Sequence, residues 1–300
     1  MAVKNETNLN KVTKKRSQAA EVWNRFRRNP LAMVGLGIII LLIILALLAP
    51  ILAPHTERDP GYDIQNLSNT FQMPSGEYIF GTDNLGRDIF ARIAHGARTT
   101  LMIGVTVVAV SMTVGIAIGS VAGYYSGIID NVFMRFVDIM LAIPTILLAI
   151  VIAASLNLGL TGVLIAVSIG GIPGYARIVR GSVLSIRGQE YIEAAKAIGA
   201  NDFRIITKHV LPNCMAPIIV EATMGMAGAI GAAAALSFLG LGAQAPSPEW
   251  GAMLSEGRRF MMMGHWPMVL FPGLAIALII FALNMMGDGL RDAFDPKLKK

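Results

Sequence analysis

From Ile139 to Ala176 this chain runs for 38 residues without a charged side chain. About 20 apolar residues, at 1.5 Å rise per residue, already cross a hydrocarbon core of about 30 Å. The stretch is therefore too long for one crossing, and Asn157-Leu-Gly-Leu-Thr-Gly162 supplies the turn residues that divide it into spans near 136–156 and 162–183. Four more apolar blocks flank it: Leu31–Ala53, Thr99–Gly123, Asn213–Leu236 and Pro267–Met286. The expectation is an all-α membrane protein with six transmembrane helices. A barrel lacks support because the blocks do not alternate, and an open sheet edge cannot sit in lipid. Composition agrees, since 54% of the residues are hydrophobic and 15% charged, against about a quarter charged in a soluble chain.

Five segments are expected: a basic cytoplasmic stretch 1–30, a first span 31–53, an extracytoplasmic segment 54–98, a transmembrane core 99–287 and a cytoplasmic tail 288–300. The first block has 23 residues, too many for a signal-peptide core of about 7–15, and Pro50 and Pro54 close it without a small-residue cleavage pattern. Leu85–Arg98 places Ile89, Ile93 and Ala97 at helical spacing and is expected to form an interfacial helix. Orientation follows from Lys and Arg. With the N-terminus inside, 19 of the 25 fall in inner segments and 6 in outer ones, so both termini are expected in the cytoplasm. Topology then accounts for the net charge of +6, and nucleic acid is not an expected partner. Gly115, Gly119 and Gly123 form a small-residue ridge that suits close helix packing. The single cysteine, Cys214, reads as a small buried hydrophobe.

The largest polar insert within the helical core, residues 184–212, carries the functional signal. Strong helix formers fill 189–198, with Tyr191, Ala194, Ala195 and Ile198 expected on one face. Gly199 suits a left-handed helix end, and Asn201 or Asp202 a cap for a second short helix bearing Phe203, Ile206 and Val210, which Pro212 is expected to stop. This helix–turn–helix reads as a docking element for a partner groove.

The spacing Glu193-Ala194-Ala195, Gly199 and Leu211-Pro212 resembles the coupling motif of ABC importer permeases. His209 stands where that motif has a hydrophobic residue, with Val210 beside it. The resemblance continues through Phe80–Phe90, Ala234–Gln244, Pro246–Gly251 and Asn284–Pro296, which look like the C-type permease of dipeptide, oligopeptide, glutathione and nickel importers. It implies a heterodimer with a homologous B-type permease, two ATP-binding subunits and an extracytoplasmic substrate-binding protein. It also implies ATPase-coupling roles for Glu190, Tyr191, Glu193, Ala194, Ala195, Ile198, Gly199, Asp202, Leu211 and Pro212. Peptides are the expected cargo, with nickel or glutathione as alternatives and an ATPase-independent secondary transporter as the competing class.

No Gly-Lys-Ser or Gly-Lys-Thr occurs, so the phosphate-cradling loop is missing and ATP with its Mg is expected on partner subunits. The histidines His55, His95, His209 and His265 show no metal-ligand spacing, and no catalytic residue or resident cofactor is expected. Glu221, the one acid deep in a span, is expected either to line a translocation path or to hydrogen-bond across helices; Asn284 is a second polar candidate in the spans. In the outer loop 237–266, Glu249, Trp250, Glu256, Arg258 and Arg259 are candidates for receptor docking. Met261–Met263 fit either adaptable docking or soft-metal cargo, and Trp250 and Trp266 read as interfacial anchors.

Overall fold

The computed structural model describes residues 18–52 and 62–295. Among them there is no β-strand, only an isolated bridge between Thr82 and Asp88. The helices are α1 (Gln18–Phe26), α2 (Pro30–Leu52), α3 (Ile89–Tyr125), α4 (Gly127–Ala142), α5 (Thr145–Leu156), α6 (Leu160–Ile186), α7 (Glu190–Ala197), α8 (Asp202–Ile205), α9 (Met215–Phe238), α10 (Trp250–Met261) and α11 (Pro267–Phe294). Five apolar helical stretches are long enough to cross a membrane: α2, α3, α6, the run Asp202–Phe238 and α11. The bent pair α4–α5 makes a sixth.

Local chemistry sets the boundaries. Asn29 caps α2, its Oδ1 accepting from the amides of Leu31 at 3.1 Å and Ala32 at 3.2 Å, and Pro30 occupies the first helical position, where no donor is needed. Pro50 does not close this helix; it lies inside the last turn and α2 continues to Leu52. Asp88 caps α3, accepting from the Phe90 amide at 2.9 Å. The 37 residues of α3 make a rod of about 55 Å. The expected interfacial helix 85–98 is therefore not separate: Ile89–Arg98 are the first turns of the second span, projecting beyond the apolar core. Between α4 and α5, Pro144 forces Ile143 into extended backbone (φ −93°, ψ 128°), and the two helices meet at 89°. The third span is thus broken and begins at Gly127, earlier than the expected 136.

The Gly115, Gly119, Gly123 ridge packs α3 on α6. A Cβ at these three positions would stand 2.4 Å from Tyr175 Cβ, 2.4 Å from the Ala176 carbonyl oxygen and 2.9 Å from Val183 Cβ. Only hydrogen fits there, so the two backbones touch along more than two turns.

At the end where α3 begins, residues 62–88 fold over the helix start together with α10. Phe80 stacks on Phe271 with centroids 4.1 Å apart, and Phe71 packs on Phe260 at 5.0 Å. Beneath lies a buried ion network. Arg87 Nε donates to Asp83 at 2.6 Å and Arg92 to the same oxygen at 2.8 Å, while both guanidinium groups reach Glu256 Oε2 of α10 at 2.9 and 2.8 Å. Burial alone would lower the Arg87 pKa, but the Asp83 and Glu256 charges and the hydrogen bonds to Asp83 and Asp63 outweigh it, and the net shift is upward.

Candidate functional site

At the opposite end, α6 leads through Arg187–Gln189 into α7, and a tight turn reverses the chain into α8. Gly199 adopts φ +82°, and the Ala200 amide reaches back to the Ala195 carbonyl at 3.1 Å, closing the helix end. Asn201 starts α8 by accepting from the Arg204 amide at 2.8 Å. Pro212 does not stop the chain's helical course. Ile206–Val210 forms a π turn and Leu211–Cys214 a 3₁₀ turn, and both run straight into α9. These changes of helix pitch accommodate the missing proline donor where a regular α-helix would break. Val210 is fully buried and His209 half-buried, so Val210 supplies the apolar contact expected one position earlier.

The α7 face also differs from the expected one. Ile192 and Ala195 turn inward against Val179, Val183 and Ile205, whereas Tyr191, Ala194 and Ile198 point outward. Ile198 is 86% exposed and Phe203 on α8 is 77% exposed, beside the exposed Glu190, Glu193 and Asp202. Leu211 is half-buried and Pro212 exposed. The sequence marks the residues that face out but misses Ile192, whose apolar side chain anchors the helix.

Side-chain clamps hold this element to the spans. The Tyr124 hydroxyl at the end of α3 donates to Asp202 Oδ1 at 2.8 Å, and Lys196 lies 5.1 Å from the Tyr124 ring centroid. Arg187 donates to the carbonyls of Gly123 and Tyr124, each at 3.3 Å, and to the Ser126 hydroxyl. Arg180 on α6 binds both Asp130 oxygens, at 2.5 and 2.7 Å, which ties α4 alongside. These bonds fix α7–α8 to the ends of α3 and α6. Nothing in the sequence announces these clamps, because Tyr124 and Asp202 are 78 residues apart.

The remaining candidates divide. Glu221 on α9 and Asn284 on α11 are half-buried, and among the described residues neither side chain makes a hydrogen bond or ion pair. At the other end, Trp250 is fully buried and its indole donates to the Ile93 carbonyl at 3.0 Å. It is a core residue of α10, not an interfacial anchor, and has no surface to offer a receptor. Glu249 is equally enclosed: its carboxylate caps α10, accepting from Gly251 at 2.9 Å and Ala252 at 2.8 Å. Burial pushes the Glu249 carboxyl above its ordinary range, with the two amide bonds offsetting part of that shift. Glu256 is committed to the ion network. Arg258, Arg259 and Met261–Met263 are exposed, and Trp266 is partly so.

Six apolar crossings with a surface helix–turn–helix held against them define a polytopic membrane protein. Residues 115–300 match the family described as binding-protein-dependent transport system inner membrane component, and residues 17–74 match the N-terminal TM domain of oligopeptide transport permease C. The chain belongs to the binding-protein-dependent transport permeases. It is 50% identical to a dipeptide transport system permease of Alkalihalophilus pseudofirmus, over 93% of this chain and 90% of that one. It is 46% identical to a glutathione transport system permease of Shigella boydii, over 99% and 97%. The fold resembles the inward-facing MetNI methionine ABC transporter, with a TM-score of 0.55 and 20% identity, covering 68% of this chain and 97% of that one.

Proposed function

We propose that this chain is one permease subunit of an ATP-driven importer that carries dipeptides or short peptides into the cell. The observation that carries the mechanism is the outward apolar face of Tyr191, Ile198 and Phe203 on an element clamped to α3 and α6. Such a face fits a groove on a partner, and the clamps convert the partner's movement into a tilt of the spans. Glu190, Glu193, Ala194, Ala195, Gly199, Leu211 and Pro212 shape and present it. ATP and Mg bind to two separate ATPase subunits; this chain supplies the lever.

The orientation places α7–α8, α1 and the end of α11 in the cytoplasm, which the 19 to 6 distribution of Lys and Arg supports. A homologous B-type permease completes the passage, because six helices enclose too little lumen for a peptide. The substrate-binding protein meets the opposite end, where Arg258, Arg259 and Met261–Met263 form the exposed rim of α10. Glu221 lines the passage, with Asn284 a second polar group among the spans. Dipeptide cargo comes from the bacterial relative, and the glutathione relative supports a second cargo of kindred chemistry. Both cargoes present one primary ammonium.

Reconstitution tests this. The chain, its B-type partner, the two ATPases and the receptor in proteoliposomes should take up a labelled dipeptide only with ATP. Uptake without ATPase subunits would instead indicate a secondary transporter.

A further inference from the structure

We propose that a groove between α1, α9 and α11 seats an acyl chain of an anionic phospholipid, with the headgroup at Arg27 and Arg28. The inference needs the membrane spans and is independent of what the transporter carries.

The groove has a volume of about 720 Å³ and is lined by Trp23 and Phe26 of α1, Met215 and Ile219 of α9, and Met286 and Phe294 of α11. From Met286 to Phe294, α11 flanks it for about 12 Å. Phe26 is buried against Ala32 and Ala293, which anchors α1 at one point. Arg25 anchors it at a second, donating to Glu21 within the helix and to the Asp295 carbonyl at 3.3 Å. Trp23 stacks on Phe26 with centroids 5.8 Å apart, yet is 49% exposed, as suits an aromatic side chain at a membrane boundary. An apolar groove left to water is unfavourable, and beside spanning helices the apolar material at hand is an acyl chain.

The terminal stretches of the sequence are poor occupants. Residues 1–17 carry Lys4, Lys11, Lys14, Lys15 and Arg16, and residues 296–300 carry Lys297, Lys299 and Lys300, so neither supplies an apolar run. Their charge instead selects the lipid. Eight of the first 28 residues are Lys or Arg and two are acidic, and such a cluster beside a span attracts anionic phospholipid. Arg27 and Arg28 follow Phe26 directly and are exposed, and among the described residues neither side chain has a hydrogen bond or ion pair. The acids at the end of α11, Asp288 and Asp292, do not line the groove, and Asp292 accepts from Asn29 at 3.4 Å. A free phosphate would use the cations alone; a phospholipid uses cations and groove together.

The test uses the transporter assembled with its partner subunits in phosphatidylcholine liposomes. These contain a trace of phosphatidylglycerol bearing a photoactivatable diazirine on one acyl chain. After illumination, mass spectrometry should find more adducts on α1 and the first turn of α9 than on Leu47 and Ile51, exposed residues of α2. Unlabelled phosphatidylglycerol should suppress the groove adducts, whereas unlabelled phosphatidylethanolamine, which carries no net charge, should not. Arg27→Gln/Arg28→Gln should lower them about fivefold for each arginine. Both side chains are exposed, so the unfolding temperature should hold. Leu290→Trp, which fills the groove, should remove the adducts while leaving those on Leu47 and Ile51. Adducts no denser in the groove than on α2 overturn the inference. So does equal labelling by a diazirine phosphatidylcholine, or labelling that the double variant leaves unchanged, since either means that charge selects nothing. Adducts on the isolated subunit but not on the assembled transporter overturn it too, because another subunit would then cover the groove.

Discussion

The buried charges illustrate how single residues are constrained here. Asp83 holds two guanidinium groups whose side chains, like its own, are 2% exposed. Asp83→Asn removes the most buried of the carboxylates that compensate them, leaving Glu256 and Asp63, and should cost up to about 3–5 kcal/mol, the range for breaking a buried pair. Thermal unfolding of the purified subunit should show that loss, whereas an exposed exchange such as Arg258→Gln should change little. Glu249 gives a pH signature. Its folded pKa lies above the ordinary value of 4.5, so the folded state binds this proton more tightly than the unfolded chain does. The stability it contributes is complete below that ordinary value and is lost as pH rises through the raised folded value. Glu249→Gln keeps one acceptor and removes the titration. Its stability relative to wild type should therefore rise with pH across that window, in unfolding midpoints measured at stepped pH.

At the scale of elements, the glycine ridge binds α3 to α6 so closely that a side chain has no room. Gly119→Leu should lower stability by about 1–3 kcal/mol or more, read as a lower unfolding temperature. The spans were legible because crossing lipid requires only a long uncharged run, and the ridge because its period matches the helix. The continuity of α3 was not. Arg92 and Arg98 interrupt its apolar signal, yet neither interrupts helical backbone, and Arg92 finds its partners in Asp83 and Glu256. The π turn before Pro212 and the 3₁₀ turn that contains it were equally hidden, since sequence marks where a donor is missing but not how neighbouring turns absorb the loss. Trp250 was misread because aromatic side chains near a span end commonly anchor at the interface. Its actual partner, the Ile93 carbonyl, lies 157 residues away.

For the whole molecule, the two ends carry different tasks. One end is locked by ions and stacked aromatics between residues 62–92 and α10. The other presents α7–α8 on clamps from α3 and α6. The helices α7 and α8 were recognisable because their spacing is a motif, whereas the clamps behind them depend on which helix ends the fold brings together. The proposed orientation predicts that, in a Cys214→Ser background, Ile198→Cys resists a membrane-impermeant maleimide in intact cells and reacts in everted vesicles. Met262→Cys, 94% exposed at the other end, should do the reverse.

The account turns on α7–α8 being the grip for an external ATPase. Co-purification of the assembled transporter with the double variant Ile198→Asp/Phe203→Asp measures this directly, because both side chains project from the surface and their loss leaves the packing of Ile192 and Ala195 intact. The ATPase subunits should be lost while the B-type permease stays bound and the unfolding temperature of the permease pair holds. ATPases retained at wild-type stoichiometry by the double variant would contradict the account.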